Sequence, residues 1–141
     1  MSQWRADPEQ VVKAKPEWRI GVVVARFNDE ICSELLRGFE ATCTKAGMSP
    51  EQVEVHWVPG AVELPLALQS LGKSGRVHAL CGLGAVIRGG TPHFDYVCQG
   101  CTSGIQQASL ETNIPIAFGV LTTDTVEQAL LRSYEFQEKI Q

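Results

Sequence analysis

Val77-His78-Ala79-Leu80-Cys81-Gly82-Leu83-Gly84-Ala85-Val86-Ile87-Arg88-Gly89-Gly90-Thr91-Pro92-His93-Phe94 is an apolar strand that breaks at a glycine turn and runs straight into a helix. Val77 to Ile87 reads as the strand, and Arg88-Gly89-Gly90 ends it. Thr91 is suited to the N-cap and Pro92 to the first helical position, where its missing N–H costs nothing. The helix is expected to run to about Thr112, with Phe94, Val97, Cys101, Ile105 and Ala108 on its inward face.

The same strand, turn and amphipathic stretch is used three more times. Upstream, Arg19 to Ala25 reads as a strand buried on both faces. Asn28 and Asp29 can cap the helix after it, in which Ile31, Leu35, Phe39 and Cys43 recur at spacing four and Gly47 marks the end. Val53 to Val58 is a further strand, followed by Pro59-Gly60 and a helix from about Val62 to Lys73, closed by Gly72 and Gly75. Downstream, Ile114 to Leu121 is the fourth strand, and Thr122-Thr123-Asp124 lead to a last helix on which Val126, Leu130 and Tyr134 align. Four such units imply a parallel sheet with right-handed crossovers and helices on both faces, an α/β architecture. At about 30 residues per unit, the 141 residues hold one domain, 19–141, after an N-terminal segment of residues 1–18.

Composition sets the outer limits. The 12 basic against 16 acidic residues leave a formal charge of −4, which disfavours a nucleic-acid or anionic-membrane surface. No apolar run approaches the roughly 18 residues of a membrane span. The first residues mix both charge signs without the apolar stretch of a signal peptide, so a cytoplasmic location is expected. Five cysteines are an odd number, as expected of free thiols in a reducing compartment. Cys98 and Cys101 have C-x-x-C spacing, but no second paired motif completes a zinc site. No metal is expected.

In an open parallel sheet, ligands bind beyond the carboxyl ends of the strands, so the four strand-to-helix turns define the candidate site. After the third strand, Gly89 and Gly90 allow close backbone approach and the helix start favours an anion such as phosphate. Alternatively, the glycines only permit the tight path. The turn is neither G-x-x-x-x-G-K-[ST] nor G-x-G-x-x-G. His93, in the first helical turn, is the first acid/base candidate or a structural histidine. His56 and His78 read as structural or exposed. Phe27, between a buried strand and Asn28, either stacks on a planar ligand or joins the core. Glu63 either complements the helix N-terminus or accepts hydrogen bonds from ligand hydroxyls.

At these turns the chain closely resembles the lumazine synthase family. The resemblance spans about Arg19 to Arg132 and is carried by four motifs in order. They are Gly21-Val22-Val23-Val24-Ala25-Arg26-Phe27-Asn28, then Trp57-Val58-Pro59-Gly60-Ala61-Val62-Glu63-Leu64-Pro65, then Gly84 through Cys98, then Phe118-Gly119-Val120-Leu121-Thr122-Thr123 with Glu127-Gln128-Ala129. It implies a flavodoxin-like three-layer α/β/α sandwich with a four-stranded parallel sheet. It also implies a transferase of riboflavin biosynthesis that condenses 5-amino-6-(D-ribitylamino)uracil with 3,4-dihydroxy-2-butanone 4-phosphate, without cofactor.

By the same resemblance Phe27 stacks on the pyrimidine, while Ala61, Val62 and Glu63 meet the ribityl chain. Gly84, Ala85, Val86 and Ile87 form the pyrimidine edge, with backbone groups from Val86 and Ile87. Gly90 and Thr91 hold the phosphate and His93 transfers protons. Phe118 and Arg132, the latter reaching the phosphate, come from a neighbouring chain of a homopentamer or a 60-subunit shell in which the N-terminal segment packs on a neighbour. Riboflavin synthase is an expected partner. Two other readings share the fold: an archaeal-type riboflavin synthase, and a non-catalytic flavin- or lumazine-binding or shell-forming homologue. After Arg132 the sequence, Ser133-Tyr134-Glu135-Phe136-Gln137-Glu138-Lys139-Ile140-Gln141, departs from the family's Ala-Gly and Gly-Asn-Lys-Gly-like continuation. A shortened or divergent end is therefore expected, with Lys139 as a loose counterpart of the family's lysine.

Overall fold

A computed structural model describes residues 12–138. Strands and helices alternate as β1 (Ile20–Ala25), α1 (Asp29–Lys45), β2 (Val53–Val58), α2 (Leu64–Lys73), β3 (Ala79–Ile87), α3 (His93–Thr112), β4 (Ile116–Thr123) and α4 (Val126–Glu138). The strands form one sheet in the order β2-β1-β3-β4, and every neighbouring pair is parallel. Central β1 registers Val22 with Val55 on one side and with Cys81 on the other.

Alternation along β1 divides the core into two layers, because successive side chains point to opposite faces. Val23 packs with Leu64, Leu68 and Leu71 of α2 and Cys101 and Ile105 of α3. Val22 and Val24 pack with Ile31, Cys32 and Leu35 of α1 and Ala129 of α4. Helices α2 and α3 thus cover one face and α1 and α4 the other, the expected three-layer sandwich. Leu64 and Leu68 are fully buried, each contributing about 1.5–3 kcal/mol by leaving water.

Several boundaries differ from the sequence reading. The second helix begins as a 3₁₀ turn over Ala61–Glu63, and α2 proper starts at Leu64. Pro92, not Thr91, is the N-cap of α3; Thr91 still helps, its Oγ1 accepting from the His93 N–H at 3.4 Å. β4 lies two residues later than expected. On α4 the inward residues are Ala129 and Ser133 rather than the full Val126-Leu130-Tyr134 stripe. Leu130 is half-buried, whereas Val126 and Tyr134 are exposed. Small residues let α4 lie close to α1, so the larger apolar side chains project from its flanks.

The segment expected to pack on a neighbour falls largely on residues 1–11, which lie outside the described residues, as does Lys139. Residues 14–18 are held by the chain itself. The Ala14 N–H donates to the Ala46 carbonyl, and Gln52 Nε2 donates to the carbonyls of Lys15 and Trp18.

Candidate functional site

The connections from β1 and β3 leave for opposite faces of the sheet, β1 into α1 and β3 into α3. Neighbouring strands whose connections diverge open a crevice at their carboxyl ends. A cleft of about 400 Å³ lies there, lined by the turn after β1, residues Gly60 to Glu63, the end of β3 and the start of α3.

Each wall has a local cause. Phe27 follows a strand whose last five residues are all buried, yet it is 72% exposed. That rules out the core reading and leaves the ring as a wall of the cleft. Its backbone is anchored by the Phe27 N–H donating to the Pro59 carbonyl at 3.0 Å. Asn28 sits in the left-handed region at φ 63° and makes no side-chain cap to α1. Instead its Nδ2 donates to the Ala85 carbonyl at 2.9 Å, tying the Phe27 turn to β3. Asparagine tolerates this backbone conformation better than most side chains. The expected cap is therefore a cross-strand tether.

Glu63 closes the 3₁₀ turn opposite, its N–H donating to the Gly60 carbonyl at 3.2 Å. Its carboxylate is exposed and, among the described residues, has no hydrogen-bond or ion-pair partner. At the third wall Val86 and Ile87 are half-buried at the end of β3. The Gly89-Gly90 turn stands in open space, with nothing within 4 Å of a Cβ added at either residue. Thr91 and His93 complete this wall at the start of α3, where the His93 N–H reaches the Thr91 hydroxyl oxygen at 3.4 Å and the Asp95 N–H donates to the Pro92 carbonyl at 3.0 Å, so the first amides lack the i−4 carbonyl partners of a helix interior. The His93 ring is exposed and, among the described residues, unpaired.

The cleft thus brings together Phe27, Ala61, Val62, Glu63, Ala85, Val86, Ile87, Thr91 and His93. Gly90 belongs to the same turn. Gly84 does not line the cleft; it is buried in β3, where an added Cβ would meet Leu64 and Val120. Phe118 and Arg132 are not brought to it within one chain. Phe118 borders a shallow depression on the β4 and α3 edge with Asp95, Cys98 and Thr122, and Arg132 is exposed on α4. Sequence reading missed Phe94 and Val97 as lining residues, because a core-facing stripe and a cleft floor have the same periodicity.

The remaining chemistry is excluded by environment. Burial pushes the thiols of Cys32 and Cys101 up to about 11 and that of Cys81 to about 12, so none supplies a thiolate near neutral pH. Cys98 is also raised, by burial first and then by Asp95. His78 Nδ1 accepts from the Arg19 N–H, and His56 pairs with Glu54 on the outer strand; both lie away from the cleft. No group of three or more metal-ligating side chains occurs among the described residues, and no helix there is long and apolar enough to cross a membrane.

Residues 17–139 match the family model of 6,7-dimethyl-8-ribityllumazine synthase. The chain is 53% identical over 115 residues to the enzyme of that name from Syntrophus aciditrophicus, covering 82% of this chain and 75% of that protein. It is 52% identical to the one from Desulfatibacillum aliphaticivorans, covering 82% and 74%. For the one from Lactiplantibacillus plantarum the identity is 50%, covering 82% and 72%. With three of its four motif-bearing turns gathered at one cleft and matches of this depth over most of its length, the chain belongs to the 6,7-dimethyl-8-ribityllumazine synthase family.

Proposed function

We propose that the protein condenses 5-amino-6-(D-ribitylamino)uracil with 3,4-dihydroxy-2-butanone 4-phosphate, releasing 6,7-dimethyl-8-ribityllumazine, phosphate and water. The observation that carries this reading is the convergence of four groups on one cleft: an exposed ring, an unpaired carboxylate, an open glycine turn at a helix start and an unpaired imidazole. Phe27 stacks on the pyrimidine, whose edge bonds to the backbone of Val86 and Ile87. Glu63 accepts hydrogen bonds from the ribityl hydroxyls beside Ala61 and Val62. Gly90, Thr91 and the amides at the start of α3 hold the phosphate.

The reaction needs a sequence of proton transfers. The uracil's 5-amino nitrogen attacks the ketone, and loss of water gives an imine. Removal of the proton from the hydroxyl-bearing carbon then expels phosphate and leaves an enol. The enol tautomerises to a new methyl ketone, and the ribitylamino nitrogen closes the ring onto that ketone with loss of a second water. His93 takes and returns these protons, standing beside the leaving phosphate. Both reactants are intrinsically reactive, so holding them together supplies much of the acceleration.

The site is completed between subunits, with Phe118 and Arg132 entering a neighbour's cleft in a homopentamer. Exposed apolar side chains support association: Phe118 on β4 and Val126, Leu131 and Tyr134 on α4. Incubation with both substrates while lumazine absorbance is followed tests the activity. Product formation is expected, whereas binding of a substrate analogue without product would favour a non-catalytic binding protein.

A further inference from the structure

Arg88 is the residue at which β3 becomes the glycine turn, and its guanidinium reaches three side chains, two on α3 and one just before α4. Nε donates to Asp124 Oδ1 at 2.8 Å, just before α4, and Nη1 lies 3.5 Å from Asp95 Oδ1 in the first turn of α3. Cζ stands 4.4 Å from the centroid of the Phe94 ring. Phe94 is buried and forms part of the cleft wall beside His93. The backbone is anchored as well, since the Arg88 N–H donates to the Thr123 carbonyl at 2.9 Å.

We propose that Arg88 is a positioning residue, clamping the Gly89-to-His93 turn in the geometry that the phosphate and the transferred proton require. Two adjacent glycines with open space around them leave that turn conformationally loose. A side chain that leaves its first residue and grips the helix at its far end closes it into a ring. The planar guanidinium lays its face on Phe94 while its edge meets both carboxylates, which a lysine ammonium cannot do at once. Two acidic partners also commit its charge, so Arg88 acts through Phe94 and the turn rather than as an anion ligand. The ion pairs are solvent-exposed and so add little to global stability. Their value lies in geometry.

The proposal rests on the reading of this turn as the phosphate and proton-transfer wall, which turnover by the unaltered protein tests separately. With Arg88→Ala, the KM for the phosphorylated substrate should rise and kcat should fall, each by about tenfold. The pyrimidine's KM should stay within about twofold, because Phe27 and Glu63 stand on other elements, and Tm should move by less than about 4 °C. Arg88→Lys should recover only part of the loss. Asp124→Asn is the deciding variant. A clamp predicts that it weakens phosphate-substrate binding in the same direction as Arg88→Ala, with the double variant no worse than Arg88→Ala alone. Were Arg88 a direct anion ligand, freeing it from Asp124 would lower that KM. A lowered KM in Asp124→Asn would overturn the proposal, as would unchanged kinetics in Arg88→Ala from an unaltered protein that turns over.

Discussion

Among the described residues His93 and Glu63 are exposed and unpaired, while four of the five thiols are buried and the half-buried Cys98 is held above the usual thiol value by burial and then by Asp95. His93→Ala should therefore lower kcat by about 100-fold or more, within the range of general acid–base catalysis, and change substrate affinity far less. Stopped-flow or steady-state absorbance would read it, and an unaltered kcat would remove the proton-transfer role. The thiols give a separate pH signature. Cys32, Cys81 and Cys101 ordinarily ionise near 9.0 but are pushed to about 11 or 12 by burial. Below 9 folded and unfolded chains both hold these protons. Above it the unfolded chain gives them up first, so stability should fall as pH rises from 9 toward 11. Urea midpoints at pH 7, 9 and 10 would show the decline, and replacing Cys81 with Ala should flatten it.

At the scale of elements, helix contacts decide what the sequence pattern leaves open. A Cβ at Gly104 of α3 would lie 2.6 Å from Pro65 Cγ at the start of α2, whereas one at Gly100, a turn earlier, would meet nothing. Gly104→Ala should cost about 1–3 kcal/mol, because a proline ring cannot swing aside. Gly100→Ala should gain about 0.5–1 kcal/mol from helix propensity. Denaturant unfolding of the pair separates packing from propensity on one helix. Propensity and spacing made β1, β2 and the body of each helix legible, since buried β-branched runs and i, i+4 apolar stripes have few other readings. Caps were less legible. Asn28 has the right chemistry for an N-cap, but the nearby Ala85 carbonyl claims its amide, a partner 57 residues away that no local pattern reveals. The α4 stripe misled for a related reason. Which of two overlapping helix faces turns inward depends on how closely α1 allows approach, and Ala129 and Ser133 fit where Tyr134 does not.

For the molecule as a whole, the turns needed for the cleft were legible because a parallel sheet collects them at one end. Phe118 and Arg132 are the exception: the family pattern assigns them to the site, yet one chain holds them apart from the cleft. Their exposure turns the proposed shared site into a complementation experiment. His93→Ala and Arg132→Ala subunits should each assemble into nearly inactive oligomers, Arg132→Ala chiefly through a raised KM for the phosphorylated substrate. In a ring with head-to-tail interfaces, random mixing at equal amounts puts an intact His93 opposite an intact Arg132 at about a quarter of the interfaces. The co-refolded mixture should thus recover about a quarter of the unaltered protein's activity at low phosphate-substrate concentration. A site confined to one chain could recover nothing beyond the average of the two parents. Activity at that average, from an oligomer verified by light scattering, would return Arg132 to the ordinary surface of α4.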